Sequence, residues 1–201
     1  MSTPYRPPRL LVIPGLNDSD DGHWQTWLQA QFPGSRRVVQ HRPQVGELER
    51  WSARIQDVLD QHPETDWVAA AHSFGVLALA HHLAQVQQRG ERSRIRQALL
   101  VAPAEPDRFG VAELLPHRRL PVPTTLIASQ NDPWMSSVNA LRWASRWGSS
   151  YSNLGWVGHI NTEAGFGPFP LAKRWVDAAL AKAARDRRPD HADFREWSFA
   201  V

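Results

Sequence analysis

Three short stretches carry residue types that together could perform acyl transfer. They are "AHSFG" around Ser73, "QNDPW" around Asp132 and "GHIN" around His159. An isolated serine hydroxyl is a weak nucleophile and needs a base within hydrogen-bond reach. Histidine suits that task because its charge changes near neutral pH. A carboxylate can then fix the imidazole tautomer and stabilise the imidazolium that forms. Each residue also has an ordinary reading. Ser73 could simply cap a following helix, Asp132-Pro133 is a common turn pair, and a lone loop histidine is usually structural. The case for catalysis rests on the conjunction, and on whether the chain can bring the three together.

The elements around them alternate. "RLLVIPG" reads as a short buried strand, and "DSDDGHWQTWLQAQF" as a helix with Ser19 or Asp20 as its N-cap. "SRRVVQHRP" reads as a second strand, and "GELERWSARIQDVLDQH" as an amphipathic helix through Leu48, Trp51, Ile55, Val58 and Leu59. Then come strand "DWVAAAH", apolar helix "FGVLALAHHLAQVQQR", strands "IRQALLVAPA" and "TTLIASQND", and helix "SSVNALRWASRWG". A weak sixth strand, "SSYSNLGWVGH", and a last helix, "FPLAKRWVDAALAKAAR", complete the order. Apolar strands alternating with helices predict a mostly parallel six-stranded sheet covered on both faces. Ligands of such sheets bind beyond the carboxyl ends of the strands. Ser73 follows strand three, Asp132 follows strand five and His159 follows strand six, so all three fall on that edge. Their order along the chain, Ser, Asp, His, is that of an α/β-hydrolase.

Composition narrows the remaining classes. A chain of 201 residues with 42% hydrophobic content predicts one domain, with a core of about 9–185 and a tail of 186–201. The net charge is only +3 and the arginines are scattered, so no nucleic-acid stripe is expected. There are no cysteines, which excludes disulfides and thiolate chemistry and fits a cytoplasmic protein. The apolar run Leu10 to Ile13 is too short for a signal peptide or a membrane span. "DSDD" at 18–21 lacks the spacing of a cation loop, and His81-His82 sit on an apolar helix, so no metal or cofactor is expected. The connection "APAEPDRFGVAELLPHRRLPVP" carries five prolines and predicts one short helix in a long loop. In the tail, Phe194, Trp197 and Phe199 could dock onto the body.

The stretches "VIPGLNDSDDGHWQTWL", "AAHSFGVLALAHHL", "SQNDPWMS" and "GWVGHINTEAGFGPFP" resemble the small serine hydrolases of the retinoblastoma-binding-protein-like, YdeN-like group, from about Leu10 to Leu180. The departure is Ala71, where that group has glycine before the elbow. The resemblance implies an α/β-hydrolase fold with sheet order 2-1-3-4-5-6 and no large lid domain. It implies Ser73 as nucleophile, Asp132 as the acid and His159 as the base. In this fold two backbone N–H groups form the oxyanion hole. One is that of Phe74. The other lies in the loop after strand one, at Leu16 or, as second choice, Asn17. Trp24 and Trp134 are expected to line the pocket or buttress these loops. His72 adjoins Ser73, but neighbouring side chains in an elbow point apart, so it is not expected to be the base.

The expected substrate is a small carboxylic ester or amide. Two alternatives stand beside it: a protein-binding module on a hydrolase fold with little activity, and a thioesterase. A protein partner is possible, and the sequence does not speak to oligomeric state.

Overall fold

A computed structural model describes residues 6–186. Six strands form one sheet in the order β2-β1-β3-β4-β5-β6. They are β1 (Arg9–Ile13), β2 (Arg36–Arg37), β3 (Trp67–Ser73), β4 (Ile95–Pro103), β5 (Thr124–Ala128) and β6 (Ser150–Asn153). Every neighbouring pair is parallel. The predicted strand order and α/β-hydrolase architecture therefore hold. Five helices cover the sheet: α1 (Trp24–Ala30), α2 (Leu48–Asp60), α3 (Phe74–Gln88), α4 (Ser137–Trp147) and α5 (Pro170–Asp186).

The strand period of two divides the core. Leu11, Ile13, Ala69, Ala71, Leu100 and Leu126 face the layer of α2, α3 and α4. Leu10, Val12, Ala70, Leu99, Val101 and Ile127 face α1 and α5. Helix α3 reads apolar on all sides because it is almost wholly enclosed; even its His81 and His82 are buried. His81 donates from Nδ1 to the Leu114 carbonyl and accepts at Nε2 from Gln85, so it is a tied structural histidine.

Three local expectations need correction. Strand β2 is two residues long, not the whole of "SRRVVQHRP". It is the sheet edge, and beyond it only the Val38 N–H still reaches the ladder, at the Val12 carbonyl. Helix α1 starts at Trp24, capped by His23 and not by Ser19 or Asp20. Those residues are spent otherwise: Ser19 Oγ donates to Gln25, and Asp20 accepts from the Gly22 N–H in a turn. The proline-rich connection holds two short 3-10 turns, Pro106–Phe109 and Ala112–Leu114, where one helix was expected. Phe194, Trp197 and Phe199 lie outside the described residues.

Candidate active site

At the carboxyl edge of the sheet, β3 runs straight into α3 with no intervening loop. The chain makes that reversal by placing Ser73 at φ 54° and ψ −126°. A non-glycine residue there is strained, and such strain persists only where surrounding structure holds it. Two glycines permit it. A Cβ on Gly75 would lie 2.2 Å from the Pro14 carbonyl oxygen and 2.7 Å from that of Ile13. A Cβ on Gly15 would lie 2.7 Å from the Ser73 Cβ. The loop after β1 and the start of α3 therefore close on the serine at distances no other residue allows.

Although Ser73 occupies the N-cap position of α3, its side chain makes no capping bond. Its Oγ lies 2.9 Å from His159 Nε2 instead. His159 Nδ1 lies 2.9 Å from both carboxylate oxygens of Asp132. An ionised carboxylate only accepts, so Nδ1 carries the proton and Nε2 accepts from the serine hydroxyl. The side chains of His159 and Asp132 are 7% and 3% exposed, which shields the pair from water. The Trp134 N–H donates to Asp132 Oδ1 at 2.8 Å and fixes the carboxylate plane.

The loops bearing the acid and the histidine are bolted together. Buried Ser129 donates to Asn131 Oδ1 and accepts from the Val157 N–H. Asn131 Oδ1 in turn accepts from the Gly158 N–H at 2.9 Å. His72 works from below. Its Nε2 donates to the His159 carbonyl at 2.9 Å, and its ring does not meet Ser73. Complete burial holds His72 well below the usual histidine range, hence neutral. Ile160 sits at φ 50°, an outlier for a β-branched residue, directly after His159.

Beside Ser73 the backbone offers donors. Phe74 is the first residue of α3, where the N–H has no intrahelical partner. In the loop after β1, the Asn17 N–H is already spent on the Pro43 carbonyl at 2.9 Å. The Leu16 N–H meets no acceptor among the described residues. The Phe74 ring itself is buried against Trp51 and Phe109.

A cleft of about 400 Å³ opens over the serine. Leu16, Asn17 and Trp134 line it, as does Phe109. Trp24 does not: it is fully buried and packs edge-on against His72 and Phe169, so it buttresses the site from the core. Sequence reading missed His23, Gln25, His72, Ser129 and Asn131. The one signal for any of them is that Asn131 directly precedes Asp132 in the strand-five exit. Gln25 is buried and donates to the Ile13 and Ala70 carbonyls, anchoring α1 beneath the elbow. Among the described residues no group of histidine and carboxylate side chains is arranged to hold a metal ion. None of their helices is long and apolar enough to cross a membrane.

The family described as serine hydrolase matches residues 10–178. Among solved structures, a YdeN-like hydrolase of Pectobacterium atrosepticum is 36% identical over 88% of this chain and 92% of its own, with a TM-score of 0.80. The ydeN product of B. subtilis is 18% identical over 87% and 99%, with a TM-score of 0.70. Est1E of Butyrivibrio proteoclasticus, solved with ferulic acid bound, shares the fold at 14% identity over 87% and 90%, with a TM-score of 0.63. No curated protein matches the chain. The chain belongs to the serine hydrolase family.

Proposed function

We propose that this serine hydrolase cleaves a small carboxylic ester or amide through an acyl-enzyme on Ser73. The observation that supports it is the unbroken hydrogen-bonded line from Ser73 Oγ through His159 to Asp132. In the first step Ser73 Oγ attacks the substrate carbonyl carbon while His159 Nε2 takes the hydroxyl proton. Asp132 stays ionised and stabilises the imidazolium. The carbonyl oxygen becomes an oxyanion held by the N–H groups of Phe74 and Leu16. Asn17 is the weaker choice, since its N–H is engaged. His159 then gives its proton to the leaving alcohol or amine as the carbon–heteroatom bond breaks. A water repeats the cycle on the acyl-serine, with His159 as base, and releases the acid.

Trp134 and Phe109 form an apolar wall of the cleft, and among the described residues no inserted domain covers it, which favours a small substrate. A pure binding module would not need the serine hydroxyl held in line with a paired histidine. Ester, thioester and amide hydrolysis share these steps, and turnover separates them. The expected result is measurable kcat/KM on short-chain p-nitrophenyl esters, falling as the acyl chain outgrows the cleft. Parallel thioesters and anilides rank the leaving groups. Asp132→Asn should cost on the order of 10⁴ in kcat with the fold kept, because the imidazole adopts the wrong tautomer. Near wild-type turnover in Asp132→Asn or His159→Ala would refute the assignment.

A further inference from the structure

His23 is almost fully enclosed, at 4% exposure, yet it lines the catalytic cleft. Its ring is clamped edge-on against His72 at 4.8 Å and tilted against Trp24 at 5.6 Å. Its Nδ1 accepts the Gln25 N–H at 3.1 Å. In the neutral ring the single proton therefore sits on Nε2. Nε2 meets no partner among the described residues, and it is not among the polar atoms sealed from solvent, so it opens towards the cleft. Burial lowers the histidine to about 4, so it stays neutral wherever a histidine base elsewhere in the site can work. An oriented N–H donor open only to the cleft bonds water there, and a substrate that displaces the water loses affinity unless something in it accepts in turn.

The surroundings say what that something is. The cleft lining also carries Asp18, which is paired with Arg37 at 3.0 Å, and Asp20, Asn161, Thr162 and Glu163. Asp20 is bonded by Thr162 at 2.8 Å and held below the usual carboxylate range, chiefly by that bond. A substrate carboxylate or phosphate would meet the carboxylates of Asp20 and Glu163, so an anion is disfavoured. A plain alkyl group would leave the donor dry and unpaired.

We propose that His23 is a substrate-recognition residue whose Nε2–H donates to a neutral oxygen of the substrate, a hydroxyl, ether or carbonyl beside the scissile bond. This rests on the hydrolase reading above and names the substrate class: esters or amides whose acyl or leaving group carries a second, uncharged oxygen.

The test compares two matched pairs that exchange one CH₂ for oxygen. On the acyl side the pair is p-nitrophenyl methoxyacetate and p-nitrophenyl butyrate. On the alcohol side it is 2-methoxyethyl butyrate and butyl butyrate. Each kcat/KM is divided by the hydroxide-catalysed rate of the same ester, which removes intrinsic reactivity. Wild type should favour the oxygenated member of at least one pair by roughly 3–10-fold, the range of one net hydrogen bond. In His23→Asn the preference should fall to about one. Asparagine can still cap α1 through its side-chain oxygen, but it withdraws the donor from the cleft. His23→Phe, which keeps the aromatic packing, should do the same. A ratio is used because general damage to the site lowers both members of a pair alike. No preference in wild type, or a preference surviving in both variants, overturns the proposal while leaving the hydrolase reading intact. A wild type that hydrolyses none of the four esters, and whose Ser73 resists fluorophosphonate, overturns both.

Discussion

Ser73 owes its position at the elbow to residues that have no side chain. With Gly75 in van der Waals collision range of the Pro14 carbonyl, α3 and the loop after β1 share one backbone-to-backbone contact. Adding a methyl group there must push the loop away, and with it Leu16. Gly75→Ala should therefore destabilise by about 1–3 kcal/mol, as overpacking does, and should also lower kcat. Urea unfolding and ester turnover measure the two effects; a variant within 0.5 kcal/mol of wild type would show that the contact is slack. The same residues explain what the sequence made legible. Ser73 and Asp132 are readable because each lies at the end of a recognisably apolar strand, whereas His159 follows the polar strand β6 and is readable chiefly from "GHIN". Alanine at 71 did not obscure the elbow, since the tight approach falls on Gly15 and Gly75. His23 and Gln25 were not readable, because a polar residue in a helix start looks solvent-facing until tertiary packing buries it.

At the scale of elements, the site is held by loops that lean on one another. The β5 exit carries Asp132 and the β6 exit carries His159, and Ser129 and Asn131 join the two. Ser129 is completely buried, and its truncation removes the hydroxyl that ties Asn131 to the Val157 N–H, although the Gly155 carbonyl keeps the Gln130 N–H. Ser129→Ala should cost about 0.5–1.5 kcal/mol of stability, the net worth of a hydrogen bond whose partners are not orphaned. It should lower kcat more than it raises KM, because it misplaces the histidine and not the substrate. Equal kcat in a folded variant would mean that His72 and the Asp132 pair suffice to place the ring. Strands β1, β3, β4 and β5 were legible as apolar runs. Strand β2 was overestimated because "RRVVQ" has strand propensity along its length, whereas an edge strand pairs only as far as its single neighbour extends. The first helix starts later than its good caps Ser19 and Asp20 suggest, because the Ser19 hydroxyl is spent on Gln25 and the Asp20 carboxylate on a turn.

Over the whole molecule, the buried histidines set the acid limit. Burial lowers His23 and His82 to about 4, and His72 also lies well below its ordinary value. In the unfolded chain these groups titrate near 6.5. Above that pH both states are neutral and stability does not depend on them. As pH falls from about 6.5 towards 4 the unfolded chain binds protons that the folded chain refuses, so stability is lost. Each such group costs about 1.4 kcal/mol per pH unit at most. Denaturant melts should be flat from pH 8 to 7 and decline steeply by pH 5. His82 lies far from the cleft on α3 and its Nε2 has no partner. His82→Leu should therefore shallow the decline by about one proton's slope. An unchanged slope would place the acid sensitivity elsewhere.

Covalent trapping decides whether Ser73 Oγ is the atom acylated. Folded enzyme treated with a fluorophosphonate should gain one adduct by intact mass, and peptide mapping should place it on Ser73. Ser73→Ala, which removes one hydroxyl and adds no bulk, should fold and gain none. An adduct on another residue, or an unlabelled wild type with native circular dichroism, would contradict the account.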